Sequence, residues 1–376
     1  METPPAGVVS AVVASAVVAP AVVVPAVVAP AVVAPAVVAP AVVPPAVVAA
    51  IESAVGAVSA PAFAMVDEAV EVLRRGGLVG FPTETVYGLG ADARNPEAMA
   101  RLYKVKGRPA KHPVIVHLGE AAQIDQWARD VPEYARKLAK AFWPGPLTLV
   151  LKRAEGVSDV ITGGQDTVGL RVPAHPLAQE LLHAFGGGIA APSANRFGRI
   201  SPTEAGHVHA DLGADVDAIL DGGPCDVGIE STIVDCSGEQ PAVLRPGRIT
   251  AAQLEAAAEV ALATPGEQAP RAPGTLQRHY SPRAKVRLLK RTGMIEALTT
   301  HKGKRIAALA MEVAVPRLPQ ALLIVEPAVA VNYARALYAN LRTLDAAGAD
   351  VILVEMPPDT PAWAGVLDRL RRAVSE

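Results

Sequence analysis

Residues 78–90 have the sequence LVGFPTETVYGLG, in which a short apolar run leads directly into a polar, glycine-containing loop. The apolar run 78–81 predicts a buried strand. The loop 82–90 carries four side chains that can form hydrogen bonds, namely Thr83, Glu84, Thr85 and Tyr87. Open α/β sheets bind their ligands where strands end, so this loop is a candidate ligand site. Taken alone, the loop fits a structural turn equally well.

Apolar runs alternate with amphipathic segments on both sides of this loop. Residues 65–75 place apolar side chains at helical spacing, and Gly76 and Gly77 end the predicted helix. Further strands are predicted at 114–118, 147–151, 168–172, 188–191, 218–221, 231–235 and 243–244. Further helices are predicted at 95–105, 175–185, 203–212 and 250–263, with helical pattern also within 120–141. Alternating elements with connections of mixed length predict an α/β sheet that is not purely parallel.

A second, smaller α/β unit follows a segment rich in Pro and Gly. Strands at 286–289, 305–310, 321–324 and 351–354, with helices at 331–347 and 363–374, predict a small doubly wound, Rossmann-like domain. We therefore predict four parts of the chain: a tail at 1–60, a main domain at 61–263, a linker at 264–284 and a C-terminal α/β domain at 285–376.

The tail differs sharply from the rest of the chain in composition. Between residues 8 and 51, 35 of 44 residues are apolar and the other nine are Ser or Pro, and residues 16–50 repeat Ala-Val-Val-Ala-Pro. This apolar length would permit a membrane span, but a proline about every five residues breaks the helix that lipid requires. No Lys or Arg precedes Arg74, so the basic part of a signal peptide is missing too. The pattern predicts a disordered, low-complexity spacer in extended polyproline II conformation and no membrane attachment.

Charge, aromatic content and cysteine count exclude several function classes. The formal net charge is −2 and aromatic residues make up 4% of the chain, so neither a basic field for polyanions nor a base-stacking surface is predicted. Only Cys225 and Cys236 occur, which excludes a disulfide scaffold and a four-thiolate zinc site and predicts a reducing, cytoplasmic location. The histidines lack metal-ligand spacing, so no metal site built by the protein is predicted.

One short basic run and one isolated arginine are candidates for binding an anion. Residues 106–112, KGRPAKH, form either a solvated loop or an anion clamp in which Arg supplies a two-pronged donor and Lys a mobile point charge. Arg171 lies inside the apolar run 168–172, so it needs a buried anionic partner. That partner is either a structural carboxylate or the carboxylate or phosphate of a substrate.

Hydroxyl and amide side chains follow another predicted strand. Ser193 and Asn195 come after the run 188–191, where they suit either hydrogen bonding to a nucleotide or an ordinary turn and helix cap. The sequence contains no Walker A motif, no Gly-x-Ser-x-Gly elbow and no His-Glu-x-x-His. The residues therefore predict an anion-handling site without a covalent nucleophile, suited to positioning and electrostatic catalysis on a phosphorylated substrate.

Six separated motifs carry a resemblance to a known family. They are FPTETVYGLG at 81–90, KGRP at 106–109, PVIVH at 113–117, WPGPLT at 143–148, APSAN at 191–195 and GIESTIVD at 228–235. Together they resemble the YrdC-type domain. The sequence HYSP at 279–282, followed by the small α/β domain, resembles the long, two-domain form of the threonylcarbamoyl-AMP synthase family. The resemblance runs from about residue 62 to near the C-terminus and implies a YrdC-type twisted mixed sheet with flanking helices plus a small Rossmann-like domain.

The resemblance also implies a reaction. It implies a nucleotidyltransferase that converts L-threonine, bicarbonate and ATP to L-threonylcarbamoyl-AMP, pyrophosphate and water, for N6-threonylcarbamoyladenosine at position 37 of tRNA. Mg²⁺ is implied together with ATP. A downstream tRNA threonylcarbamoyl transferase is implied as the partner, with no stable binding of nucleic acid and no membrane.

Roles for individual residues follow from the same resemblance. The residues implied to hold L-threonine are Thr85, His117, Arg171 and Ser231. The residues implied to bind ATP are Arg108, His112, Thr167, Ser193, Asn195, Ser201, Arg245 and Tyr280. Lys106 and Arg108 are implied as the catalytic residues, and Tyr280 as part of a lid over the nucleotide that excludes water. His112 stands where the family often has Asn.

Two other functions are compatible with parts of the sequence. A non-catalytic RNA-binding module would use a basic surface formed by Lys104, Lys106, Arg108 and Lys111, but the negative net charge and the few aromatics argue against it. A carbamoyl-transfer maturation factor shares the same core domain. Such a factor normally needs a zinc-finger module as well, which two cysteines cannot form.

Overall fold

The computed structural model describes residues 63–109, 111–276, 278–300, 304–311 and 321–374, and the prediction for residues 1–60 lies outside them. The α-helices are α1 (Val66–Arg74), α2 (Pro96–Lys106), α3 (Glu133–Phe142), α4 (Asp159–Thr162), α5 (Pro176–Phe185), α6 (Ala205–Leu212), α7 (Ala251–Ala258), α8 (Arg291–Thr300), α9 (Ala330–Ala346) and α10 (Ala364–Ala373). Turns of 3-10 helix lie at Ala121–Gln126, Gly213–Asp215 and Pro361–Trp363. The strands are β1 (Val79–Phe81), β2 (Gly88–Asp92), β3 (Ile115–His117), β4 (Leu147–Lys152), β5 (Thr167–Arg171), β6 (Ile189–Ala190), β7 (Ala218–Ile219), β8 (Thr232–Asp235), β9 (Ala242–Arg245), β10 (Lys285–Leu289), β11 (Ile306–Met311), β12 (Ala321–Glu326) and β13 (Val351–Glu355).

Strands β1 to β9 form one mixed sheet in the order β7-β1-β2-β6-β3-β5-β4-β8-β9. The pairs β1 with β7, β3 with β5 and β4 with β8 are parallel, and the remaining pairs are antiparallel. This arrangement confirms the predicted mixed α/β sheet. Segments that are far apart in sequence therefore come together along the part of the sheet formed by β6, β3, β5, β4 and β8.

Helix α1 closes one end of this sheet. Its apolar residues Ala69, Val70 and Leu73 are buried, as the helical spacing predicts, and they pack in one cluster with residues of α5 and of the sheet. The backbone N–H of Ala64 donates to the carbonyl of Ile219 in β7 at 2.9 Å. The folded body therefore includes Ala64, ahead of the first helix.

The structure differs from several sequence-based predictions in this domain, and the helix predicted at 250–263, for example, ends at Ala258. The predicted loop 82–90 is shorter, because β2 begins at Gly88. Glycine is unusual in strands, but a Cβ at Gly90 would lie 2.9 Å from Ile189 Cγ2 and 3.0 Å from the Phe81 ring, so the close packing requires it. The helical pattern within 120–141 is divided into a 3-10 turn and α3, which begins directly after Pro132.

Strands β10 to β13 form a second, fully parallel sheet in the order β10-β13-β11-β12. This confirms the predicted small α/β unit. Helix α8 was not predicted, because Gly293 and the two terminal threonines give the segment low helix propensity. Burial of Met294 and Leu298 against this sheet outweighs that propensity.

The two parts of the chain share one hydrophobic cluster. Ile200 and Ile229 of the first part pack in it with Tyr338, Trp363 and Leu367 of the second. The predicted boundaries of the domains stay predictions, but the two parts pack directly together. Within the described residues, no helix combines the length and the apolarity that a bilayer crossing requires.

Candidate active site

One cavity lies where many of these strands end. It is lined by residues of the β1–β2 loop, β3, the end of β5, the turn after β6, the residues before β8, the end of β9 and the 264–284 segment. Eight of the predicted site residues line it: Thr85, Arg108, His117, Arg171, Ser193, Ser231, Arg245 and Tyr280. The sheet order therefore brings together residues from opposite ends of the main domain.

Thr83 fixes the shape of the β1–β2 loop. Its hydroxyl donates to the carbonyl of Val86 at 2.6 Å and accepts from the N–H groups of Thr85 and Val86, both at 3.2 Å. Such a turn, closed by a side-chain hydroxyl, holds the loop without regular secondary structure. The Thr85 hydroxyl is thereby held 2.8 Å from the Thr83 hydroxyl at the cavity wall.

Arg171 ends β5 and is buried, with 3% of its surface exposed. Its Nη1 donates to the Thr85 hydroxyl at 2.8 Å and its Nε to the carbonyl of Gly145 at 3.2 Å. Its Nη2 lies 2.7 Å from Glu84 Oε1, while Glu84 Oε2 accepts from the N–H of Ala174. Of the two partners that the sequence left open for this arginine, the structural carboxylate is present. Nη2 and Glu84 Oε1 are nevertheless both buried without a hydrogen bond.

His117 ends β3 beside this ion pair. Burial, and secondarily the Arg171 charge, lowers the pKa of His117 to about 3, so the ring is neutral at physiological pH. Its ring meets Phe81 edge to face at 5.9 Å, and its Nδ1 is buried without a hydrogen bond. A neutral ring nitrogen in this position can hydrogen-bond to a ligand.

Ser231 and Arg245 form the opposite wall. The Ser231 hydroxyl lies 2.8 Å from the Thr148 hydroxyl. Arg245 Nη2 donates to the carbonyl of Ser231 at 2.8 Å and to its hydroxyl at 3.2 Å, and Nη1 donates to the carbonyl of Pro273 at 2.8 Å. Arg245 therefore ties the start of β8 to the 264–284 segment.

Arg108 adds a third guanidinium to the cavity. Its Nη2 donates to the carbonyl of Pro113 at 2.6 Å, and the guanidinium lies 5.9 Å from the centre of the Phe197 ring. Burial lowers the pKa of Arg108 to about 10, so it remains charged at neutral pH. With Arg171 and Arg245, it gives the cavity the excess of positive charge that an anionic ligand needs.

Lys106 lies behind the cavity and does not line it. Its Nζ donates to the carbonyls of Ser193 and Asn195, at 2.6 and 2.5 Å, and to Asn195 Oδ1 at 3.2 Å. All three of its N–H groups can therefore be engaged by the turn after β6. Ser193 Oγ also donates to Asn195 Oδ1 at 2.5 Å, so Lys106 and Asn195 together set the position of Ser193.

Asn195 and three other predicted ATP-binding residues lie outside the cavity lining. His112 packs edge to face on Phe197 at 5.6 Å, and Thr167 pairs with Lys152 at the far end of β5 from Arg171. The Ser201 hydroxyl donates to Glu230 Oε1 at 2.5 Å. The proposed role of these residues in binding ATP stays a prediction.

The 264–284 segment covers the cavity with Gly274, His279 and Tyr280. Tyr280 has a left-handed backbone, with φ of +60°, and its buried hydroxyl has no hydrogen bond. Burial raises the pKa of this hydroxyl to about 12, so it is a neutral donor. Gly274 has φ of +74°, and a Cβ there would lie 2.1 Å from the Tyr280 hydroxyl oxygen, so only glycine fits.

Sequence reasoning assigned no role to several residues that the structure places in or behind this site. Glu84 and His279 lie within the motifs but carry no assigned partner, and Glu230 is one of the residues that line the cavity. Arg369 of α10 contacts the Glu230 carboxylate from behind. Arg369 lies on the apolar side of its helix, three residues after Val366 and four before Ala373. A charged residue at such a position in the sequence indicates a buried charge that needs a partner.

Among the described residues, no group of three or more His, Cys, Asp or Glu side chains is placed to hold a metal ion. Glu230, the carboxylate in the cavity lining, is already engaged by Arg369 and Ser201.

Known proteins match both parts of this chain. Residues 71–247 match the family model described as telomere recombination (Sua5_yciO_yrdC), and residues 249–375 match the model described as threonylcarbamoyl-AMP synthase, C-terminal domain. The threonylcarbamoyl-AMP synthase of Pyrococcus abyssi is 39% identical, over 80% of this chain and 91% of the relative. That of Bacillus subtilis is 38% identical, over 81% and 92%. The crystal structure of P. abyssi Sua5 complexed with L-threonine has a TM-score of 0.75, is 38% identical and covers 82% of this chain and 93% of its own.

Proposed function

This chain belongs to the threonylcarbamoyl-AMP synthase family, and from that premise we propose that it makes L-threonylcarbamoyl-AMP from L-threonine, bicarbonate and ATP. The observation that carries the proposal is the buried guanidinium of Arg171, whose Nη2 contacts Glu84 at 2.7 Å without forming a hydrogen bond, at a cavity lined by two further arginines. One anion-binding position is needed for the carboxylate of an amino acid and others for phosphates. A non-catalytic RNA-binding module would need an exposed basic surface, but Lys106 and Arg108 of the four basic residues considered for it are buried, which leaves Lys104 and Lys111.

Threonine is proposed to lie against Arg171, with its carboxylate on Nη2. Thr85, His117 and Ser231 surround the same part of the cavity and offer two hydroxyls and a neutral imidazole for the substrate hydroxyl and amine. Glu84 Oε1 lies 2.7 Å from Nη2 without a hydrogen bond, and its negative charge suits the positive charge of the amine before the amine loses its proton. A zwitterionic amino acid thus meets a matched pair of charges.

ATP is proposed to occupy the rest of the cavity. Arg108 and Arg245 line it and would bind the phosphates, Ser193 would add a hydroxyl, and Tyr280 would cover the nucleotide with its neutral hydroxyl. Lys106 is then a positioning residue, because its contacts hold the turn that bears Ser193. Mg²⁺ would be bound as part of the MgATP substrate, where it neutralises phosphate charge.

The chemistry needs no protein nucleophile. The threonine amine adds to bicarbonate with loss of water and gives a carbamate. A carbamate oxygen then attacks the α-phosphorus of ATP, the bond to the β-phosphate oxygen breaks, and pyrophosphate leaves. The arginines would stabilise the charge that develops on the phosphates, and the covering segment would keep water from the mixed anhydride.

The product of this reaction is an activated donor, so a second enzyme must consume it. We propose a separate tRNA threonylcarbamoyl transferase, acting at adenosine 37 in the cytoplasm, as the consumer. No stable complex with tRNA is required of this chain.

The proposal is tested by following pyrophosphate release with purified protein. We expect release that depends on L-threonine, bicarbonate and MgATP together, with a product whose mass equals that of threonylcarbamoyl-AMP. Pyrophosphate release that is independent of threonine contradicts the proposal.

A further inference from the structure

Arg369 reaches from the C-terminal part of the chain to the back of the cavity wall. Its side chain is fully buried. Its Nε donates to Glu230 Oε2 at 2.7 Å, its Nη2 to the Glu230 carbonyl at 3.1 Å and its Nη1 to the carbonyl of Pro246 at 2.8 Å. One guanidinium therefore binds both turns that carry cavity residues, since Ser231 follows Glu230 and Arg245 precedes Pro246.

Glu230 receives further donors from both parts of the chain. Ser201 donates to Oε1 at 2.5 Å, and Tyr338 of α9 donates to Oε2 at 2.9 Å. Burial by itself would raise the pKa of Glu230, but the charges of Arg369 and Arg245 and the Ser201 hydrogen bond outweigh burial and lower the pKa to about 2. The carboxylate in the cavity wall is therefore ionised.

The covering segment is held by the same two helices. The Arg369 guanidinium lies 5.4 Å from the centre of the Tyr280 ring, and the Tyr338 ring stacks on Tyr280 at 5.7 Å. Helix α10 also packs closely on the turn after β9, because a Cβ at Gly365 would lie 2.8 Å from the carbonyl oxygen of Gly247. Helices α9 and α10 thus fix the wall and the cover of the cavity together.

We propose that Arg369 is a positioning residue for the nucleotide: it neutralises Glu230 and thereby allows a triphosphate to occupy the cavity, although it lies outside the cavity lining. The inference rests on the proposed function. Without Arg369, the Glu230 carboxylate would be uncompensated beside the phosphates. Arg245, which contacts the carbonyl of the next residue, Ser231, would be the cation left in contact with this turn. ATP carries several negative charges and threonine none net, so the loss affects ATP selectively.

The test compares KM values for the two substrates in charge variants. Arg369→Met is expected to raise KM for ATP about tenfold or more and KM for threonine less than about threefold. Adding Glu230→Gln to that variant removes the uncompensated charge and is expected to return KM for ATP to within about threefold of wild type. Direct titration of each protein with ATP provides a second measure of the same effect.

Asp211→Asn supplies the matched control. It weakens another ion pair between the two parts of the chain, Arg342 with Asp211 at 2.6 Å, and neither of these residues lines the cavity. Both KM values are expected to stay within about twofold of wild type. A Tyr338→Phe variant covers the case that Arg369→Met does not fold: it keeps the ion pair, removes one donor to Glu230 and is expected to raise KM for ATP alone, by about two- to fivefold.

Several outcomes overturn the inference. They are equal increases for ATP and threonine in Arg369→Met, no recovery on adding Glu230→Gln, unchanged ATP affinity in Tyr338→Phe, or the same selective loss in Asp211→Asn. Failure of the proposed function has a different signature. In that case wild-type protein makes no threonylcarbamoyl-AMP, while titration with ATP still tests the role of Arg369.

Discussion

Arg171 Nη2 lies 2.7 Å from Glu84 Oε1, yet neither atom forms a hydrogen bond. The other two nitrogens of the guanidinium are held by Thr85 and Gly145, so the side chain cannot turn to improve the contact. A buried charged pair that is close but incompletely bonded has donor and acceptor capacity left for a ligand. The ion pair thus both orients Arg171 and leaves it able to bind a carboxylate.

Arg171→Ala is expected to affect threonine far more than ATP. Loss of a charge-assisted contact of about 2–3 kcal/mol corresponds to about a 30- to 150-fold lower kcat/KM for threonine. KM for ATP is expected to change less than about threefold, because Arg108 and Arg245 remain. Steady-state pyrophosphate release at varied concentrations of each substrate measures both values.

Arg129→Ala, which removes an exposed guanidinium on the protein surface, is the control for this experiment and is expected to retain wild-type kinetics. Arg171→Lys is expected to fall between wild type and Arg171→Ala, because lysine keeps the charge but loses the planar donor pair. Equal losses for threonine and ATP in Arg171→Ala would contradict the assignment of the threonine position.

Gly274→Ala is expected to weaken ATP binding by displacing Tyr280. The new Cβ would lie 2.1 Å from the Tyr280 hydroxyl oxygen, and the left-handed backbone adds strain of about 1 kcal/mol. We expect KM for ATP to rise about tenfold. In a Tyr280→Phe background, where the clashing oxygen is absent, the same substitution is expected to have a smaller effect.

Gly156→Ala is the control that introduces backbone strain without a clash. Gly156 also has a left-handed backbone, with φ of +82°, but a Cβ there would meet nothing within 4 Å. The control is expected to lower stability without changing KM for ATP. If Gly274→Ala behaves like Gly156→Ala, then the covering segment does not position the nucleotide.

The sequence predicted the parts of the site that depend on local pattern. An arginine within the apolar run 168–172 had to be buried, and polar residues after apolar runs had to meet at one region of the sheet. The partner of Arg171 could not be chosen in the same way. Glu84 is 87 residues away, and only the turn closed by Thr83 aims its loop toward β5.

The contacts behind the cavity could not be predicted from motifs at all. Glu230 and Arg369 are 139 residues apart and belong to the two different parts of the chain, so their pairing depends on how these parts pack. For Lys106, by contrast, the motif was recognisable in the sequence, but the contacts of the side chain were not. The family resemblance implied a catalytic residue at the phosphates, whereas its Nζ is enclosed by carbonyl and amide oxygens of residues 193–195.

His117 is expected to make the protein less stable in acid. Its pKa is about 3 in the folded chain, below the ordinary value of about 6.5 that applies when the chain unfolds. Its contribution is therefore fully present above pH 6.5 and is lost as the pH falls from 6.5 toward 3. His117→Gln removes this proton uptake, so the slope of the unfolding free energy between pH 6 and 4 should decrease by about 1.4 kcal/mol per pH unit. Denaturant unfolding at fixed pH values measures both slopes, and equal slopes would show that His117 titrates normally in the folded chain.

Deleting residues 1–58 is expected to leave catalysis intact. Every residue of the cavity lies after residue 82, and the N-terminal contact of the folded body begins at Ala64, whose N–H bonds to β7. We expect kcat and both KM values within about twofold of the full chain. Extending the deletion to residue 75 removes α1 and the buried side chains of Ala69, Val70 and Leu73, and is expected to destabilise the protein by several kcal/mol, at about 1–2 kcal/mol for each large buried side chain. Activity and thermal unfolding of the two truncations should therefore separate, and a shorter truncation that folds but makes no product would show that the apolar repeat takes part in catalysis.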